Sequence, residues 1–219
     1  MVKFIRLNLG LIKYLMGSVM NLEANDKDEN SILNALKEAY GEKKAYDKVH
    51  MSDIIRHSGV AIGKIYANFT DKDDIAIGLI KKSIYNVFIT FDEEIELKMP
   101  LGDKLKVFLS LQLEFIGPHL NLIKELLPKA LIPFSNFNGF ISDTRTRYLD
   151  FISELFLNNV NKNNFLFRAV TLPVITNSFL LFNLSVLQFW SKDNSEGKQS
   201  TLNFIEKGIK NIMITTVLL

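Results

Sequence analysis

Two short apolar-periodic segments meet at a glycine within VHMSDIIRHSGVAIGKIYANFTDK, residues 49–72, and this stretch constrains the fold more than any other. Ile54 and Ile55 lie on the first segment; Ile62, Ile65, Tyr66 and Phe69 lie on the second. Between them runs Ser58-Gly59-Val60. Gly59 supplies the positive φ that a tight helix–helix corner needs, and Val60 is placed to plug the corner into a core. This is the pattern of a helix-turn-helix, whose second helix is shaped to enter a DNA major groove. Upstream, Ile32, Leu33, Ala35, Leu36, Ala39 and Tyr40 recur at helical spacing, and Gly41 is the natural residue to end that helix.

Gly59, Val60, Gly63, Ile65, Tyr66, Phe69 and Lys72 form a spaced set that resembles the DNA-binding domain of TetR-family transcriptional repressors over about residues 27–80. If Ile65 and Phe69 face inward, the second helix exposes Ala61, Ile62, Gly63, Lys64, Ala67 and Asn68. Lys64 has the reach for guanine acceptors or a phosphate, Asn68 for adenine or a phosphate, and Ile62 for a thymine methyl. The resemblance implies that Tyr66 touches a phosphate. Lys72 opens the next helix, where free amides and a lysine together suit a phosphate. One position departs from the family. A threonine commonly starts the helix before the turn, and here His50 stands there, with Ser52 as a second donor on the same turn.

The 219 residues carry a net charge of only +2, and residues 31–90 hold nine Lys/Arg against seven Asp/Glu. Affinity for DNA must therefore come from where the charges sit, not from a global field. With no cysteine there is no disulfide, thiol nucleophile or cysteine metal site. His50, His57 and His119 form no evident metal cluster, no Gly-rich phosphate loop occurs, and nothing in the spacing assembles a catalytic set. No cofactor and no enzymatic activity are expected. Lys3 and Arg6 before an apolar run imitate a signal peptide, but Lys13 interrupts the run and no A-x-A site follows. Residues 1–26 read as an N-terminal extension, and the protein as cytoplasmic with no membrane partner.

Patterning predicts an all-α chain: a three-helix helix-turn-helix head over 27–75 and a larger helical ligand-binding and dimerisation domain over 76–219. A fourth helix is expected to run to about Leu97. Pro133 to Gly139 reads as a loop, with helices over Asp143–Asn158, 164–191 and 198–218. The segment Trp190, Asp193, Ser195 resembles a turn joining the last two helices in a subset of TetR-like proteins. It also resembles lipid-binding proteins of ubiquinone biosynthesis that share the architecture. Asp193 and Ser195 suit a helix cap there.

Much of the chain's complement of seventeen phenylalanines falls in the second domain. The resemblance implies an effector cavity there, and such cavities are mostly apolar with few polar groups. Phe108, Gln112, Phe115, Tyr148, Phe151 and Asn177 are the candidate lining residues, with His119 and Asn183 as further polar candidates. The expected function is a homodimeric repressor that pairs through its last two helices, binds a palindromic operator and is released by a small apolar effector. The alternative is a lipid- or isoprenoid-binding protein of the same architecture that no longer reads DNA.

Overall fold

The computed structural model describes residues 27–96, 98–133, 135–159 and 165–218; the 1–26 extension lies outside the described residues. Every regular element among the described residues is helical, as the patterning predicts. The order is α1 Lys27–Lys43, α2 Met51–Ser58, α3 Ile62–Asn68, α4 Lys72–Glu94, α5 Leu101–Phe115, α6 Leu120–Ala130, α7 Asn136–Asn159, α8 Leu172–Trp190 and α9 Gln199–Leu218. A turn of π-helix, Phe167–Thr171, leads into α8.

The chain forms two compact units whose membership does not follow the sequence division at residue 75. Among the described residues, the first comprises 27–85 together with His119–Asp143; the second comprises Asn86–Pro118 and those from Thr144 onward. In the first unit, Ile32, Leu36, Ile54, Ile65 and Ile75 are fully buried, and Leu122, Leu126, Phe137 and Phe140 complete the same core. Gly59 has φ 63°, as the corner requires, and Val60 packs against this core. Gly41 does not end α1. The helix continues to Lys43, and Lys44 takes the left-handed conformation with φ 58°.

In the second unit the rings of Phe88, Phe91, Phe108 and Phe151 pack with centroids 4.8–5.8 Å apart. Full burial of each such ring contributes roughly 1.5–3 kcal/mol, so this cluster is the unit's main anchor. Residues 167–190 are long and apolar enough to cross a membrane. One stripe of α8, including Leu172, Ile175, Phe179 and Val186, is nevertheless buried as in a core helix. The expected 133–139 loop is shorter than predicted: the Ser135 hydroxyl accepts from the Asn138 amide at 3.0 Å and caps α7, which starts at Asn136.

Asp193 caps α9 as expected. Its carboxylate accepts from the Ser195 amide and hydroxyl (2.9 and 2.6 Å) and from the Thr201 amide and hydroxyl (2.8 and 2.6 Å). These bonds hold its pKa well below the usual carboxylate range. Two close approaches depend on glycine. A Cβ on Gly117 would stand 2.8 Å from the Trp190 ring, and one on Gly208 would stand 2.1 Å from the Phe182 ring. Gly208→Ala is expected to push the Phe182 ring off α9. Overpacking of this kind costs about 1–3 kcal/mol, more than the helix propensity gained from alanine, so thermal denaturation should show a lower Tm.

Candidate functional site

The recognition helix α3 is seven residues long and is held by two apolar anchors. Ile65 is fully buried and Phe69 nearly so. Because these two set its rotation, Ala61, Ile62, Gly63, Lys64, Tyr66, Ala67 and Asn68 all face solvent. Ile62 and Tyr66 are more than half exposed. The face is therefore the one anticipated from the sequence.

Each polar group on it has a definite setting. Lys64 Nζ pairs with Asp28 Oδ2 at 2.5 Å, so this lysine is engaged by an acid from the first turn of α1. Asn68 Nδ2 donates to the Lys64 carbonyl at 3.0 Å. His50 is the exposed N-cap of α2, and its amide donates to Asp53 Oδ2 at 3.0 Å. Ser52 is exposed on the same turn. That amide bond, with Lys43 and Arg56 nearby, outweighs the opposing effect of burial and lowers the Asp53 pKa. On the far side of α2, His57 faces Glu38 and Glu42 of α1 at 3.3 and 3.1 Å. These contacts fasten the helix before the turn to α1.

Lys72 differs from the expectation. Its Nζ donates to the Tyr46 and Val49 carbonyls (3.1 and 2.9 Å) and lies 4.5 Å from the Tyr46 ring centroid. Two of its three ammonium protons thus fix the loop that enters α2. Sequence reading gave Tyr46 no role, yet it is almost fully buried and central to a polar clasp. Its hydroxyl donates to Asp73 Oδ1 at 2.6 Å and its amide to Glu125 Oε2 at 2.7 Å. Tyr40 donates to the other Glu125 oxygen at 2.7 Å, and Lys129 binds both Asp73 oxygens at 2.8 Å. Burial and the Glu125 bond push the Tyr40 hydroxyl up to about 12. Burial also raises the Tyr46 hydroxyl far above its ordinary range. Burial pushes Asp73 upward too, but the bonds from Lys129 and Tyr46 win and its pKa is lowered. The clasp ties α6 to α1 and to the start of α4.

In the second unit, Phe108, Gln112, Tyr148 and Phe151 are buried together with the aromatic core, and Phe115 is half-buried at the end of α5. Asn177 is a correction. It is exposed on α8, donating to the Pro173 carbonyl and accepting from Arg145, so it lines no interior space. Asn183 takes the buried polar position on α8 instead and donates to the Tyr148 hydroxyl at 2.6 Å. Lys104 is a buried cation on α5: it donates to Asn159 at 2.8 Å, with its pKa lowered by burial. No metal-binding cluster occurs among the described residues.

Residues 32–79 match the profile of bacterial regulatory proteins of the tetR family, and residues 104–217 match the tetracyclin repressor-like C-terminal domain. The fold resembles a crystal structure described as a TetR-family transcriptional regulator from Syntrophomonas wolfei str. Goettingen. The TM-score is 0.67 at 20% identity, over 87% of this chain and 97% of that one. A fatty acid metabolism regulator protein of Bacillus subtilis (strain 168) is 31% identical over 91 residues, which are 42% of this chain and 46% of that protein. The chain thus matches about half the length of that relative. With both domains of one family in order, and a solvent-facing recognition helix between its anchors, this chain belongs to the TetR family of DNA-binding transcriptional regulators, which are not enzymes.

Proposed function

We propose that this protein is a cytoplasmic, ligand-responsive repressor that binds a palindromic operator as a homodimer and is released by a small, largely apolar effector. The observation that carries the reading is the exposed face of α3, where Ile62 and Tyr66 stand out from the fold beside Gly63, Lys64 and Asn68. His50, Ser52, Tyr66 and the remaining proton of Lys72 are the phosphate-side contacts; Lys64, Asn68 and Ile62 read bases.

The dimer pairs through α8 and α9. Ile205 and Ile209 are buried within the protomer, and Leu180, Leu187 and Ile212 are half-buried. Leu181, Leu184, Phe189 and Leu202 are exposed apolar residues on these helices, as are Val174 and Ile214. The first three line a groove of about 690 Å³ floored by Phe204. A second copy covering this groove would bury it by two-fold symmetry and set two recognition helices about one DNA turn apart, roughly 34–36 Å.

Release needs a ligand with different affinities for the two states of the dimer. Support for a route comes from α6. It falls in the region matching the C-terminal domain of the family, yet Glu125 and Lys129 clasp it to the DNA-binding head. The aromatic core favours an apolar effector such as an acyl chain, an isoprenoid or an aromatic compound. Similarity to a fatty acid metabolism regulator supports the same direction. Each buried methylene contributes about 0.8 kcal/mol, so affinity should climb with chain length until the space is full. Thermal-shift titration over such a series, repeated with operator DNA, tests this. Ligands should stabilise the protein and weaken operator binding, and Phe115→Trp should impair the former while sparing DNA affinity. Stabilisation with unchanged operator affinity would favour the lipid-binding alternative.

A further inference from the structure

Two buried amide oxygens in the second unit, Gln112 Oε1 and Asn183 Oδ1, have no hydrogen-bond partner. Both residues are more than nine-tenths buried. Interior polar atoms are normally satisfied, so two orphans of the same kind call for an explanation. Their placement supplies one. Phe108 of α5 and Phe179 of α8 both lie against the Tyr148 ring, at centroid distances of 5.9 and 6.4 Å. Further along, Gly117 after α5 meets Trp190 at the end of α8. The two helices therefore run alongside in the same sense. Gln112 is one turn beyond Phe108, and Asn183 is one turn beyond Phe179. The two orphan oxygens thus share one level of the bundle, beside the Tyr148 hydroxyl that Asn183 contacts.

We propose that Gln112, Asn183 and Tyr148 form a recognition site for the polar end of an apolar ligand, and that this end is an uncharged hydroxyl. The inference rests on the apolar-effector reading and specifies its chemistry. A hydroxyl donates its single proton to one of the two amide oxygens and accepts one from the tyrosine, so it engages an orphan oxygen and the phenol together. An ether can only accept. A carboxylate would set its charge against two carbonyl oxygens, while the buried cation Lys104 lies two turns earlier on α5 and is bonded to Asn159.

The test is direct binding of 1-alkanols of eight to sixteen carbons to the full-length protein, beside the methyl ethers and carboxylates of matched chain, by calorimetry at pH 8. The best alkanol should bind at least about tenfold more tightly than its ether and its carboxylate, the discrimination expected when a buried polar partner goes unpaired. Gln112→Met and Asn183→Leu should each narrow the alkanol–ether gap while leaving ether affinity nearly unchanged. Equal binding of alkanol and ether by the wild-type protein overturns the proposal but leaves the apolar-effector reading standing. Tightest binding by the carboxylate, lost in Lys104→Met, overturns it as well and moves the polar end to Lys104. Failure of every chain to bind overturns both.

Discussion

Leu181→Glu with Leu184→Glu is expected to convert the protein to a monomer and to lower operator affinity by about 100-fold or more. Linking two DNA-binding heads makes the second contact intramolecular, an advantage of roughly 10²–10⁴ that the monomer forfeits. Both leucines are more than half exposed in the protomer, so the charges cost the isolated fold little. Circular dichroism should stay native while sedimentation shows half the mass. Ile209→Glu would be a poor substitute for this test. Ile209 is buried in the protomer, where its methyl lies against Gly102, and a charge there would damage the fold itself. A double variant that remains dimeric would show that the interface lies elsewhere.

Lys64→Ala is expected to relax the preference at a single operator position, at a cost of about 1–3 kcal/mol if the lysine reads a guanine. The lysine must first leave Asp28. That pair is largely exposed at the lysine end, and exposed ion pairs contribute about 0–1 kcal/mol, so a base contact outcompetes it. Asp28→Asn should therefore tighten operator binding modestly, by no more than about fivefold, without changing the preferred sequence. Lys72→Ala should behave differently. Losing one phosphate contact lowers the salt slope by about one unit for all sequences alike. Losing the bonds to the Tyr46 and Val49 carbonyls should also lower the Tm. Titrations of each variant against a panel of single-base operator changes, at several salt concentrations, separate these outcomes. Unchanged specificity in Lys64→Ala would remove it from base readout.

The head was legible because its signals are local. Gly59, the inward Ile65 and Phe69, and the helical spacing of α1 fix the corner and the exposed face without reference to distant residues. Asp193 was legible for the same reason, since its partners Ser195 and Thr201 lie within eight residues. Tyr46 was not legible. It sits in a short loop with no periodicity, and its burial is decided by Asp73, Glu125 and Lys129, the last two roughly eighty residues away. The phase of α8 was hidden by its composition. Leu181 and Leu184 on the open face are as apolar as Leu172 and Val186 on the buried one. Patterning thus could not tell exposed Asn177 from buried Asn183, nor assign Ile209 to the protomer rather than a partner. A helix whose second face is kept apolar loses the contrast from which rotation is read. Gly41 misled because a helix tolerates an interior glycine at modest cost when neighbouring packing continues.

Selection of bound fragments from a random DNA pool by the full-length protein at moderate salt tests the central claim most directly. Enrichment of a palindrome whose half-sites lie one helical turn apart, centre to centre, is the expected result. Recovery of no sequence above background, from protein shown to be folded and dimeric, would contradict it.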